Sequence, residues 1–86
     1  MIQRPWPKWW HWELELTDHV LERMADRGFN ETDLRAMFEH ASGWRRNPRY
    51  QGRFLIETRH NAQDWVISVE PDDQDCVLVV ITAFQV

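Results

Sequence analysis

The chain has 86 residues, of which 43% are hydrophobic and 28% charged, and its formal net charge is −4. This length and apolar fraction predict one folded domain over residues 1–86 rather than a disordered chain. The negative charge argues against a protein that coats nucleic acid indiscriminately, because such binding needs a basic surface. The sequence shows a single cysteine, no apolar run of membrane-spanning length and no signal-peptide pattern, so we expect a cytoplasmic protein and no membrane partner.

The N-terminal segment PWPKWWHWELEL contains four of the six tryptophans. Its two prolines predict an extended arm over residues 1–9, since proline cannot donate to a strand ladder. Apolar and polar residues then alternate, which predicts a strand with Trp10 and Trp12 facing the core. Trp6 and Trp9 lie outside this alternation and are candidates for an exposed partner surface.

Two short helices are predicted after this strand. The first covers residues 18–27, with Thr17 or Asp18 as its N-cap and Gly28 as its C-terminal stop. The second is capped by Asn30, is expected to end near Ser42 and Gly43, and carries apolar residues three and four positions apart, the spacing of an amphipathic helix. Both helices therefore have one apolar side to pack against a sheet.

Three further strands are predicted from alternating or continuous apolar residues, over residues 53–59, 65–70 and 76–84. The last is apolar on both faces, which indicates an interior strand. A polar loop precedes the first of them. The sequence thus predicts an α+β fold in which the N-terminal strand and two short helices pack on one face of a curved antiparallel sheet of about four strands.

The first predicted helix carries a stripe of possible functional residues. His19, Arg23 and Arg27 are four residues apart and so lie along one side of the helix. A histidine near a helix N-terminus is biased toward its neutral form, which suits a general base. The alternative is that the stripe is an ordinary solvated helix flank.

Positive charge is concentrated in residues 45–60, which hold five arginines and one acid. Arg53, Glu57 and Arg59 alternate onto one strand face and could form a phosphate clamp, because a guanidinium matches phosphate oxygens. The alternative is that these side chains are only solvated. His60 follows at the strand end, on the opposite face if the alternation continues.

The predicted polar loop adds a second basic group. Arg45, Arg46 and Arg49 alternate there with Trp44 and Tyr50, a pattern that could steer a nucleic-acid strand and stack a base. No set of three metal ligands has a known spacing, and the glycines are scattered rather than gathered in a phosphate loop. We therefore expect neither a metal nor another cofactor.

Several segments together resemble a known family. They are LELTDHVLERMADRGFNETDLRAMFEHA, GRFLIETRH, WVISVEPD and VLVVITAF, and they resemble the bacterial domain of unknown function family 4258. The resemblance covers nearly everything from Trp12 to Phe84, so residues 10–86 are assigned to this domain. Family members look related to the barnase, EndoU, colicin and RelE-like group of small metal-independent ribonucleases, many of them toxins of toxin–antitoxin pairs.

The resemblance implies RNA cleavage by attack of the ribose 2′-hydroxyl on the adjacent phosphate. His19 would be the general base or acid, Arg53 and Arg59 would bind the scissile phosphate, and Thr82 would donate a hydrogen bond. The candidate catalytic set is completed by Arg23, His60 and Glu57, and the candidate RNA-binding set is Arg27, Arg45, Arg46, Arg49 and Tyr50. The expected partners are an antitoxin protein and RNA, which could be bound on the ribosome. A homodimer is a further possibility.

A second class of function stays open. A small non-catalytic module could use the aromatic N-terminus to dock on a protein, and its arginine-bearing face could bind RNA, an acidic peptide or nothing. RNA cleavage without added metal would separate the two.

Overall fold

A computed structural model describes residues 6–86, so the first five residues of the predicted arm lie outside the described residues. The α+β class is confirmed: an N-terminal strand and two helices pack on a mixed, mostly antiparallel sheet. The elements in chain order are a 3-10 helix (Lys8–His11), β1 (Glu13–Leu16), α1 (Asp18–Arg27), α2 (Glu31–Glu39), β2 (Gly43–Arg46), β3 (Phe54–His60), β4 (Gln63–Asp72) and β5 (Val77–Gln85).

Both helices begin where the sequence predicts and α1 also ends there, whereas α2 ends at Glu39, before the predicted end near Ser42 and Gly43. The Thr17 hydroxyl oxygen accepts from the backbone N–H of Val20 at 3.2 Å, and Gly28 ends α1 in the left-handed conformation that glycine adopts without strain. Asn30 and Asp33 form a reciprocal capping box at the start of α2. Among the described residues no helix is long and apolar enough to cross a membrane.

Within residues 6–86 the sheet has five strands rather than about four, in the order β1-β5-β4-β3-β2. The additional strand is β2, which lies inside the predicted polar loop and pairs antiparallel with β3. Its four residues include one large apolar side chain, so they carry no periodicity that could predict a strand. The β1–β5 pair is parallel, whereas the other three pairs are antiparallel. The prediction that β5 is an interior strand is confirmed.

The two helices cover one face of this sheet, here called the covered face. Val20 and Met24 of α1 and Leu34 of α2 are buried in one cluster with Ile56 of β3 and Ile67 of β4. The helix–sheet contact is also polar at one point, where the Thr58 hydroxyl donates to the Met37 carbonyl. The main hydrophobic cluster therefore lies between the helices and the covered face, while Val66 is buried on the opposite side of the sheet.

The tryptophan-rich segment departs from the predicted arm and strand. Lys8–His11 form a 3-10 turn, which rotates Trp9 inward until it is 6% exposed and 5.0 Å from the Phe54 ring. The prediction that Trp9 is exposed is therefore wrong. Trp6 is 40% exposed, as predicted, and stacks on Trp10 with 4.2 Å between the ring centroids.

Candidate functional site

The candidate site lies on the side of the sheet opposite the helices, here called the open face. Ile56 and Thr58 of β3 are buried beneath the helices, so strand alternation puts Leu55, Glu57 and Arg59 on the other side. Cross-strand pairing extends this face over three neighbouring strands. Its members from those strands are Arg45, Asp64, Val66, Ser68, Glu70, Thr82 and Phe84.

One end of the open face forms a cleft of about 490 Å³, here called the charged cleft. The connection between α2 and β2 reaches it because Ser42 donates its backbone N–H to the Glu57 carbonyl at 2.8 Å. That contact brings His40, the C-cap of α2, to the cleft wall. The lining residues are His40, Ser42, Arg45, Glu57, Thr58, Arg59, Asp64, Trp65, Val66 and Val86.

The arginines of the charged cleft are held by carboxylates but are not saturated by them. Arg45 Nη1 lies 3.0 Å from Glu57 Oε1, and Arg59 Nε lies 3.4 Å from Asp64 Oδ1. Arg59 Nη2 also donates to the Ala62 carbonyl at 2.9 Å. A guanidinium has five N–H donors, so each arginine keeps donors for an anionic ligand. These solvated pairs orient the side chains at a small cost to ligand binding.

The charged cleft combines the groups needed for acid–base chemistry on a phosphate. Imidazole can both donate and accept a proton near neutral pH, and His40 is exposed at the cleft wall. Glu57 is an exposed carboxylate beside Arg45. The arrangement can therefore bind an anion and exchange protons with it.

A second cleft of about 390 Å³, here called the aromatic cleft, adjoins the first on the open face. Leu55, Ser68 and Thr82 of this cleft are each two residues along their strand from an open-face residue at or beside the charged cleft. Its lining residues are Asn47, Pro48, Arg49, Tyr50, Arg53, Leu55, Ser68, Ile81, Thr82 and Phe84. The two clefts therefore lie next to each other on the open face.

The β2–β3 loop fixes the outer wall of the aromatic cleft. Asn47 Oδ1 accepts from the backbone N–H groups of Arg49 at 2.8 Å and Tyr50 at 3.3 Å. The Asn47 N–H in turn donates to the Arg53 carbonyl at 2.9 Å, and Gly52 takes the positive φ of 82° that closes the loop. The loop is therefore ordered by its own hydrogen bonds.

Arg53 links the loop to the sheet. Its Nε donates to Glu70 Oε1 at 3.1 Å, and its guanidinium carbon lies 4.7 Å from the Tyr50 ring centroid. This cation–π contact holds the phenol ring over the cleft. Tyr50 is nonetheless 53% exposed.

The structure divides the predicted site residues among four places. Those in the charged cleft are Arg45, Glu57 and Arg59, and those in the aromatic cleft are Arg49, Tyr50, Arg53 and Thr82. The third place is α1, where His19 and Arg27 are exposed and Arg23 is half-buried. Within residues 6–86, the side chains of these three residues make no hydrogen bond or ion pair, and they line neither cleft.

Two further predicted residues belong to the covered face. The His60 ring packs near the rings of Phe29 and Trp65, with 5.5 Å and 6.3 Å between the ring centroids, on the face that strand alternation predicts for it. Arg46 pairs with Phe54 and its guanidinium lies 5.9 Å from that ring. The predicted residues are therefore not gathered into one site.

His40 is the cleft residue that the sequence did not single out. It ends an amphipathic helix and precedes a strand that periodicity did not predict, so its position near Glu57 depends on the β2–β3 pairing. His40 lies three residues before the start of β2, so once the β2–β3 pairing is known His40 can be placed at the edge of the sheet.

No protein-family model matches the chain, and no curated protein or solved structure is significantly similar to it. The resemblance to family 4258 therefore stays a prediction, and any functional argument depends on the geometry of the clefts.

Proposed function

We propose that the protein is a metal-independent endoribonuclease whose reaction takes place in the charged cleft. One observation carries the proposal: a histidine, a carboxylate and two guanidinium groups line the same cleft, as His40, Glu57, Arg45 and Arg59. These are the groups required to move two protons and to stabilise charge on a phosphate.

In the proposed reaction Glu57 accepts the proton of a ribose 2′-hydroxyl. The 2′-oxygen attacks the adjacent phosphorus, and the bond from phosphorus to the 5′-oxygen breaks. His40 donates a proton to that leaving oxygen, so the products are a 2′,3′-cyclic phosphate and a free 5′-hydroxyl. Arg45 and Arg59 bind the phosphate oxygens on which negative charge grows, since their spare N–H donors match that geometry.

The ion pair between Arg45 and Glu57 has a positioning role in this reaction. It holds the carboxylate beside the guanidinium that binds the phosphate, so base and anion site stay together. Because both side chains are solvated, Arg45 can turn its remaining N–H donors toward the phosphate at little cost while the pair stays formed.

The experiment measures cleavage of a fluorescent single-stranded oligoribonucleotide in EDTA, with identification of the 2′,3′-cyclic phosphate product. His40→Ala and Glu57→Gln each lose activity by about 10²- to 10⁴-fold, the usual contribution of a general acid or base. His11→Ala is the matched control, because His11 is an exposed histidine outside both clefts. Its activity stays at the wild-type level.

A His19→Ala variant tests the sequence-based alternative. If it loses activity while His40→Ala keeps it, the acid–base group lies on α1 and the charged cleft is not the active site. No cyclic phosphate product at high protein excess would contradict a ribonuclease of any kind.

A non-catalytic RNA-binding module is the second candidate. The observation that favours it is that, within residues 6–86, the His40 side chain makes no hydrogen bond or ion pair that would orient it as a general acid. Such a module binds the oligoribonucleotide, as seen by fluorescence anisotropy, and leaves it intact during prolonged incubation.

The resemblance to family 4258 adds a cellular role to the proposed activity, that of the toxin of a toxin–antitoxin pair. Expression of the wild-type chain in a bacterial host then arrests growth, and Glu57→Gln relieves the arrest. Equal growth arrest by both chains would separate the toxicity from RNA cleavage.

A further inference from the structure

We propose that the aromatic cleft binds one unpaired nucleobase of the RNA strand whose phosphate occupies the charged cleft. The substrate class is therefore single-stranded RNA. The position of the neighbouring phosphate rests on the proposed function, whereas the base-binding site itself does not.

The aromatic cleft presents exposed aromatic side chains. Tyr50 is 53% exposed and Phe84 is 43% exposed, and both line the aromatic cleft. A planar base can stack on either ring, and stacking of this kind tolerates every base because each has a π-face. Arg53 lies against Tyr50 and supplies positive charge beside the ring.

The loop that carries Tyr50 is ordered before any ligand binds. Tyr50 belongs to a loop that Asn47 pins from within and that Arg53 ties to Glu70. A ring held in place loses little side-chain entropy on binding, so more of the stacking free energy becomes affinity.

The floor of the aromatic cleft is polar. Ser68 and Thr82 are directly opposite each other on β4 and β5, and both line the cleft. Within the described part of the chain, neither hydroxyl has a hydrogen-bond partner. A hydroxyl both donates and accepts, so this pair can bond the edge of a base that is free of its Watson–Crick partner.

The two clefts are separated by a short distance along β3. Leu55 and Glu57 lie two residues apart on β3, about 7 Å at the usual rise of a strand. That separation places the base beside the phosphate in the charged cleft. A base inside a duplex is stacked on both faces and paired along its edge, so it cannot enter.

The test measures binding by fluorescence anisotropy with a 2′-O-methyl oligoribonucleotide of about eight nucleotides, which cannot be cleaved. The wild-type chain binds the single strand more tightly than the same strand annealed to its complement. Tyr50→Ala and Phe84→Ala each weaken single-strand binding roughly 5- to 150-fold, while Tyr50→Phe retains the ring and the affinity. Leu21→Ala is the control, because Leu21 is an exposed apolar residue on α1.

Abasic strands make the test specific for one base. An abasic position is moved along the strand, and one position weakens wild-type binding while leaving the affinity of Tyr50→Ala unchanged. Equal binding of single strand and duplex, or equal abasic losses in wild type and Tyr50→Ala, would overturn the base-binding site. Absence of cleavage with these binding results intact would overturn the proposed reaction alone.

Discussion

Alternate residues of the same strands form the two faces of the sheet. Side chains on the covered face are buried by the helices, whereas the charged side chains of the open face are exposed. On the covered face, Ile56 and Ile67 are fully buried beneath the helices. On the open face, Glu57 and Arg59 are exposed, and their ion pairs are solvated. Burial stabilises a fold roughly in proportion to apolar area, whereas a ligand needs access. Stability and ligand binding can therefore be changed separately in this chain by substitutions on one face at a time.

The largest expected effect on stability is at Trp9. Trp9→Ala removes a buried ring from the covered face and lowers the free energy of unfolding by about 3–5 kcal/mol. Trp6→Ala is the matched control, because Trp6 is exposed and stacks on one neighbour. Urea denaturation followed by circular dichroism measures both. Equal losses for the two variants would contradict the burial that separates them.

A smaller loss is expected where α2 meets β3. Thr58→Val removes the hydroxyl that satisfies the Met37 carbonyl near the end of α2, and a buried carbonyl without a partner costs about 1–3 kcal/mol. Thr58→Ser keeps the hydroxyl and loses less. The comparison is made by urea denaturation, and a Thr58→Val variant as stable as wild type would exclude a structural role for this bond.

A gain is expected at the turn between β3 and β4, which belongs to neither face. Ala62 has a φ of 63°, a left-handed conformation that disfavours a Cβ, so Ala62→Gly raises the free energy of unfolding by about 1 kcal/mol. Asn61→Gly is the control and gains less, because asparagine tolerates this conformation at φ 50°. Thermal unfolding of the three chains checks the order, which a destabilised Ala62→Gly variant would reverse.

The smallest change in stability is expected on the open face. Glu57→Gln removes a solvated ion pair and lowers the free energy of unfolding by less than about 1 kcal/mol. The same variant loses the cleavage activity proposed above. A loss of several kcal/mol in the free energy of unfolding would show that the open face also contributes to stability.

The covered face was largely predictable from sequence because its signals are local. Thr17, Gly28 and Asn30 mark helix ends by their own chemistry, and alternation in residues 54–58 shows which side is buried. Trp9 was not predictable, because the 3-10 turn that rotates it inward depends on packing against distant rings.

The open face was only partly predictable because it is assembled by pairing between strands. Strand alternation groups Glu57 with Arg59, both within one segment. The register of β2 against β3 decides that Arg45 and His40 join them, and a four-residue edge strand leaves no periodic signal. His19 was selected from its helical position, whereas the clefts lie on the sheet.

The most direct test of the division between the faces is an NMR titration of the arginine Nε–Hε signals with the non-cleavable 2′-O-methyl oligoribonucleotide. We expect the signals of Arg45, Arg53 and Arg59 on the open face to shift and those of Arg27 and Arg35 on the helices to stay unchanged. Shifts concentrated on the helix arginines, with the open-face signals unmoved, would contradict this division.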